Sequence, residues 1–293
     1  MAKQELESLI TRRKEEFAEL QLQSSRLQDA CALLPQLDDE LASLWVASDY
    51  AATVCLTTPA LLCDLLQEGD LLQSRDDWAT HLQAFLTRLQ LPDSVVRQGD
   101  GMELLRKQLR NYRKREMLRI IWRDASGRAS LMETCADLTA LADTCIKHAL
   151  TILSATCQQQ MGVPLDSSGD TQQLIVLAMG KYGAGELNLS SDIDLIFIFP
   201  DSGDTTVSPE LQIQYPLARS TSVQQYFCKL GQLLINALDS TTSDGFVFRV
   251  DMRLRPHGES GALALPIDAM EEYIHSQGRD WERFAMIKAR AVT

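Results

Sequence analysis

The chain has 293 residues, enough for two domains or one large one, and 45% of them are hydrophobic, so a substantial core can form. Its 28 basic and 40 acidic residues leave a formal charge of -12, which argues against nucleic acid as the main partner, since a polyanion-binding surface leaves a basic signature in the totals. The opening "MAKQELESLITRRKEEFAEL" is too charged for a signal peptide, and no apolar run approaches the roughly 20 residues that span a bilayer, so a soluble cytoplasmic protein with no membrane partner is expected.

From the start to about Gln160, apolar residues recur at three- and four-residue spacing in a background of Leu, Ala, Gln, Glu and Arg, which predicts a series of helices without a fixed-period repeat. Breaks fall at "LLPQLDD", "TTPALL", "EGDLLQSRDD" and "LPDSVVRQGDG", and Thr58 before Pro59 reads as an N-cap with proline at the first helical position. The helix "GMELLRKQLRNYRKREMLRIIWRD" combines a basic run (Arg106, Lys107, Arg110, Arg113, Lys114, Arg115, Arg119, Arg123) with an apolar stripe of Leu105, Leu109, Tyr112, Leu118 and Ile121. Two readings stand: a packed helix with a solvated basic face, or arginines directed at phosphate or at an acidic partner. Cys31, Cys55, Cys63, Cys135, Cys145, Cys157 and Cys228 show no CxxC pair or zinc spacing and read as reduced core residues.

Composition shifts at "GVPLDSSGDTQQ", a linker or loop, and the pattern beyond it is mixed. The expected division is a helical region over residues 1–165 and an α+β part over 166–293. "LIVLAM" and "SDIDLIFIF" read as buried strands, "VQQYFCKLGQLLINAL" as an amphipathic helix and "GFVFRVDMRLR" as a third strand. "PIDAMEEYIHSQ" and "RDWERFAMIKARAV" read as helices, and "PDSGDTTVSPELQIQYPLARSTS" as a long flexible loop beside the site.

The chemistry concentrates in "GKYGAGELNLSSDIDLIFIF". Alternate strand residues share a face, so Asp192 and Asp194 point one way while Ile193, Leu195 and Phe197 point the other. Two ionised carboxylates so close repel unless a cation sits between them, and a hard divalent cation such as Mg²⁺ suits one or two carboxylates plus substrate phosphates. On the third strand Phe246, Phe248, Val250, Met252 and Leu254 form an apolar face, leaving Arg249, Asp251, Arg253 and Arg255 opposite: a third metal ligand flanked by bidentate phosphate binders. Gly180, Gly183 and Gly185 mark a turn whose backbone can approach phosphate oxygens, although the spacing matches neither a P-loop nor GxGxxG. A glycine turn, D-x-D on the next strand and D on a later one describe metal-assisted phosphoryl or nucleotidyl transfer.

The order Gly180-Lys181, Asp192-x-Asp194, Asp251 resembles the nucleotidyltransferase superfamily typified by DNA polymerase beta, with Lys181 departing from the usual second Gly or Ser. More narrowly, "MGKYGAGELNLSSDIDLIF", "VDMRLRPHGESGALALP" and "GRDWERFAMIKARAV", with "LRNYRKREMLRIIWRD" upstream, resemble the bifunctional glutamine synthetase adenylyltransferase/adenylyl-removing enzymes from about residue 100 onward. The resemblance implies a polymerase beta-like core with a small mixed sheet after a large all-helical region. "SDIDLIF", "MRLRPHGESG" and "GRDWERFAM" look like the N-terminal, adenylyl-removing half, the adenylylating half reading nearer "SDLDL", "ARLRPSG" and "WEHQAL". The implied reaction is phosphorolysis: phosphate attacks the AMP-tyrosine of adenylylated glutamine synthetase, giving ADP and free tyrosine. Asp192, Asp194 and Asp251 would hold Mg²⁺ or Mn²⁺; Gly180, Lys181, Gly183 and Ser191 would approach the nucleotide phosphates; Arg253 and Arg255 would hold the attacking phosphate.

Glu186 and Asn188 are candidates for orienting the aspartates, His257 for proton transfer, and Glu282 and Arg283 for supporting the site, with packing the default for Trp281. His81, His148 and His275 read as surface or packing residues. The alternatives are ATP-dependent adenylylation, a small-molecule nucleotidyltransferase, or a non-catalytic module binding a regulator such as the nitrogen-signalling PII protein. The ending "KARAVT", read as lying inside a continuing helix, suggests a piece of a longer protein.

Overall fold

In the computed structural model of the chain, residues 3–34, 36–88, 101–242 and 245–293 are described. The fold is α+β and falls into two compact units: residues 1–89 with 111–141, and residues 90–110 with 142–293. Among the described residues no single helix is long and apolar enough to cross a membrane. All seven cysteines are free thiols, and burial pushes the Cys55 thiol up to about 12.

The first unit is helical: α1 (Lys3–Gln23), α2 (Ser25–Cys31), α3 (Leu37–Ala47), α4 (Asp49–Thr57), α5 (Pro59–Glu68) and α6 (Trp78–Arg88), with residues 111–125 of α7 (Gly101–Ala125) and 131–141 of α8 (Leu131–Met161). Ser24 and Ser48 cap α2 and α4 by accepting the amides of Leu27 and Ala51. Thr58 does stand at the N-cap of α5 with Pro59 first in the helix, but its hydroxyl makes no capping bond. The break expected at "LPDSVVRQGDG" lies, apart from its final Gly101, outside the described residues.

The basic helix α7 departs from both expectations. Arg115 and Arg119 are fully buried and Arg123 nearly so, and none of the three faces solvent or an external anion. Their partners come from other parts of the same unit. Arg115 donates to Glu68 and Asp70 at 2.6 Å each, Arg119 to Asp137 at 2.6 Å, and Arg123 to Glu133 at 2.7 Å. Buried Glu116 pairs with Arg75 at 3.1 Å and Arg119 at 2.9 Å, and also with Arg115. His81, expected at the surface or in packing, is mostly buried with Nε2 3.2 Å from Asp70. Each buried charge meets an opposite one, the condition under which ions survive in a low-dielectric interior.

The second unit is built on a five-stranded sheet. Its strands are β2 (Ile175–Ala178), β3 (Ile193–Phe199), β5 (Val250–Asp251), β6 (Ala264–Pro266) and β7 (Arg290–Ala291), and a separate pair joins β1 (Val163–Pro164) to β4 (Thr205–Thr206). The order is β5-β3-β2-β7; β2 runs antiparallel to β3 and β7, whereas β5 and β6 pair in parallel with opposite ends of β3. In β3, Phe197 lies against Gly231 of α11 (Val223–Asp239), where a Cβ would stand 2.8 Å from its ring, and Phe199 stacks on Phe227 at 5.0 Å. Ile196 and Ile198 meet Met270 of α12 (Ile267–Ser276), with Ala285 and Met286 of α13 (Asp280–Met286) packed alongside. Burying each of these large side chains contributes about 1.5–3 kcal/mol, so β3 is firmly placed between helical layers.

The structure differs from the sequence expectation in three segments. "GFVFRVDMRLR" joins the sheet only at Val250–Asp251, and the chain turns after Met252, where the Arg255 amide closes back on the Met252 carbonyl at 3.3 Å. "RDWERFAMIKARAV" is helical only to Met286; Arg290–Ala291 forms β7 instead, its pairing with β2 extended by the Val292 amide donating to Val176 at 2.8 Å. The segment read as a flexible loop carries β4 and a short helix, α10 (Pro209–Gln214), capped by Ser208.

Candidate active site

The glycine turn follows β2 directly, as the one-turn helix α9 (Gly180–Gly183). Its first residue, Gly180, has φ +56°, and a Cβ there would lie 2.7 Å from Oδ2 of Asp194. Both facts require glycine, one by dihedral and one by space. The Met179 amide donates to the Asp194 carbonyl at 2.9 Å and ties the turn to β3. Gly183 is buried, and a Cβ would collide with the carbonyls of Lys288 and Ala178, so close backbone packing accounts for this glycine. Lys181 is exposed.

A buried contact fixes the turn from behind. The Tyr182 hydroxyl donates to Asp143 of α8 at 2.6 Å, and Arg290 of β7 donates to both oxygens of the same carboxylate at 2.8 and 2.9 Å. The Arg290 guanidinium also lies 5.4 Å from the Tyr182 ring centroid. Burial first, and then the Asp143 charge, hold the Tyr182 hydroxyl well above its ordinary pKa. Sequence reasoning assigned no role to these three residues.

Asp194 lies on β3, opposite Asp251 of β5 in the parallel register. Asp192 sits just before the strand and pairs with Arg249 at 2.5 Å, while Arg249 also donates to the Ser190 carbonyl at 2.9 Å. Asp251 accepts the Arg253 amide at 2.8 Å and its guanidinium Nε at 2.9 and 3.0 Å. Those bonds hold the Asp251 carboxyl below its ordinary pKa. Asp194 is the opposite case: burial, then Asp251 and Asp192, push its pKa up, and no donor reaches its carboxylate among the described residues.

A half-buried carboxylate with two acidic neighbours and no donor fits a divalent cation, which supplies the missing positive charge. Asp192 and Asp251 are turned toward their arginines. Among the described residues, the set of three ligand-type side chains within 4.8 Å of one another is instead Glu68, Asp70 and His81, in the first unit, where Arg115 already bridges the two carboxylates.

The other candidates surround this edge in different ways. The Asn188 side chain accepts Ser191 Oγ at 2.9 Å and the Ser190 amide at 3.2 Å, which shapes the turn into Asp192. Glu186 forms an exposed ion pair with Lys288 at 3.0 Å. Arg255 donates to the carbonyls of Met252 and Glu259 at 2.8 and 3.2 Å, so its terminal nitrogens hold the turn together. Arg283 likewise donates to the carbonyls of Ile274 and His275. Glu282 accepts Tyr273 Oη at 2.7 Å and the Arg279 amide at 2.8 Å, bracing α12 against α13.

A family model described as glutamate-ammonia ligase adenylyltransferase matches residues 39–293. The chain is 49% identical over 247 residues to a bifunctional glutamine synthetase adenylyltransferase/adenylyl-removing enzyme of Pseudomonas aeruginosa, covering 84% of the chain and 23% of the relative. Proteins of the same description from Nitrosococcus oceani and Pseudomonas putida are 45% and 44% identical over 255 and 276 residues, covering 86% and 91% of the chain and 24% and 26% of the relatives. The chain thus spans about a quarter of the length of the curated relatives it matches.

Proposed function

Since this chain belongs to the glutamate-ammonia ligase adenylyltransferase family, we propose that it carries the adenylyl-removing activity, with adenylylated glutamine synthetase as substrate. In this reading, a phosphate oxygen forms a bond to the α-phosphorus of AMP-tyrosine, the bond to the tyrosyl oxygen breaks, and that oxygen takes up a proton, giving ADP and unmodified glutamine synthetase. The supporting observation is the Asp194 carboxylate, half-buried over the Gly180 turn between Asp192 and Asp251. The direction rests on the likeness of "SDIDLIF", "MRLRPHGESG" and "GRDWERFAM" to the adenylyl-removing half.

Asp192, Asp194 and Asp251 would hold Mg²⁺ or Mn²⁺, which supplies charge for the attacking and leaving oxygens. The polymerase beta-like core is part of the same reading. Gly180 admits the Asp194 carboxylate against the main chain, and Tyr182 with Asp143 and Arg290 fixes the turn that presents it. Lys181 and Ser191 would approach the nucleotide phosphates, and Arg253, bonded to Asp251, would orient an incoming anion. The PII protein is the proposed regulator, and the cytoplasm the proposed location.

Incubating the chain with adenylylated glutamine synthetase, Mg²⁺ and phosphate should release ADP, and Asp192→Ala should stop it. Adenylylation of unmodified glutamine synthetase from ATP, with no ADP released in the first assay, would reverse the assignment of direction.

A further inference from the structure

Between the turn after β5 and the α12–α13 junction lies a cavity of about 400 Å³, bounded by Arg253, His257, Tyr273, Arg279, Trp281 and Glu282. It shares Arg253 with the carboxylate edge, because the guanidinium that lines the cavity is also the one bonded to Asp251. We propose that this cavity is the binding site for inorganic phosphate, the acceptor of the adenylyl group. The proposal rests on the phosphorolytic reading above for the role of the ion, and on the cavity for its place.

Two guanidiniums line the cavity, that of Arg253 already bonded to Asp251. Arg253 and Arg279 reach the cavity from two different segments, and planar guanidiniums match phosphate oxygens two at a time. Among the described residues, Arg279 has no carboxylate within ion-pair distance. The one acid in the wall, Glu282, has both oxygens engaged, one by Tyr273 Oη and the other by the Arg279 amide. The Tyr273 and Ser260 hydroxyls donate to Glu282 and to the His257 carbonyl, so Arg279 is the wall's cation without a carboxylate partner among the described residues.

His257 adds a second observation. Its φ of +61° makes it the single non-glycine residue in the left-handed region among those described, followed by Gly258 at φ +54°. Such a backbone is unfavourable for an L-residue, and strain of this kind persists where the surroundings over-determine it. Here the imidazole is seated against Tyr273 with ring centroids 4.6 Å apart, at the cavity wall. At about 400 Å³ the cavity is large enough to admit a phosphate ion.

The test is equilibrium binding of inorganic phosphate to the 293-residue chain by calorimetry, for the unaltered chain, Arg279→Gln and an exposed control, Arg219→Gln. Arg279 caps α13 through its backbone amide, so the substitution keeps that contact, and thermal unfolding checks that the fold is intact. The expected result is at least tenfold weaker phosphate binding in Arg279→Gln and unchanged binding in Arg219→Gln. Equal binding by Arg279→Gln and the unaltered chain, or no binding by the unaltered chain, overturns the assignment of the cavity. Phosphate-dependent ADP release, measured in parallel, separates the two claims. If ADP is released and the KM for phosphate ignores Arg279→Gln, the cavity is wrong and the reaction stands. If phosphate binds through Arg279 and no ADP appears, the oxyanion site stands and the phosphorolytic reading falls.

Discussion

Replacing Gly180 by alanine tests the link between the glycine turn and the acidic edge. Two effects are expected, and the structure separates them. At φ +56° a Cβ raises the energy of the backbone by about 1–2 kcal/mol, which for a unit of this size lowers Tm by roughly 2–8 °C. The same Cβ would stand 2.7 Å from Oδ2 of Asp194, too close for a nonbonded contact, so the carboxylate must swing away. A displacement of about 1 Å at a reacting centre can reduce turnover on the order of 100-fold. Gly185→Ala is the matched control: φ is +74°, but a Cβ there meets nothing within 4 Å. Circular dichroism melts and phosphate-dependent ADP release should show both variants destabilised and only Gly180→Ala inactive. Equal turnover in the two variants would refute a functional role for the Gly180–Asp194 contact.

Glu116→Gln removes the carboxylate charge that faces Arg75, Arg115 and Arg119 in a fully buried setting; urea unfolding of the first unit should report a loss of about 3–5 kcal/mol, and a loss below about 1 kcal/mol would contradict the network. The pH dependence has a definite sign. The hydrogen bonds from Arg128 hold Glu40 below its ordinary pKa, and for Glu116 the three guanidiniums outweigh a burial that acts the other way. Each carboxyl binds its proton more weakly in the fold than in the unfolded chain, so the stability it confers is present above about pH 4.3 and lost as the pH falls further, as acid titration of Tm should show. Asp194→Asn removes the buried charge and the repulsion from Asp251 and Asp192 that raise this carboxyl's pKa, so melts without added metal should show an equal or higher Tm, while the stabilisation by Mn²⁺ expected of the unaltered chain should disappear.

The acidic edge was legible because its signals are local. Glycine at position 180 reports a dihedral restriction and the apolar run around Asp194 a buried strand, and both can be read without knowing the fold; Asp192, expected on the same strand face, instead precedes β3 and pairs with Arg249. The buttress of Tyr182 was not legible, since Asp143 is 39 residues away and Arg290 lies 147 residues from Asp143. Nor could periodicity disclose the fate of the basic run in α7. A stripe of arginines looks the same whether water or Glu68, Asp70 and Asp137 cover it, and only the packing of other helices decides. The strands β6 and β7 escaped notice for another reason: three and two residues are too short to display an alternation, and their pairing is set by the edges of β3 and β2.

The buried ions of α7 act as a lock on register. Apolar side chains tolerate small slips, because one hydrophobic contact can replace another. A guanidinium seated between two carboxylates cannot do so: sliding the helix by one residue would strand charges in a region that water does not reach. The helix is therefore held to one axial position and one rotation by the pairs that leave it: Glu116 with Arg75, Arg115 with Glu68 and Asp70, Arg119 with Asp137, and Arg123 with Glu133. Change should come to these positions jointly, with an acid exchanged only when its base is exchanged too.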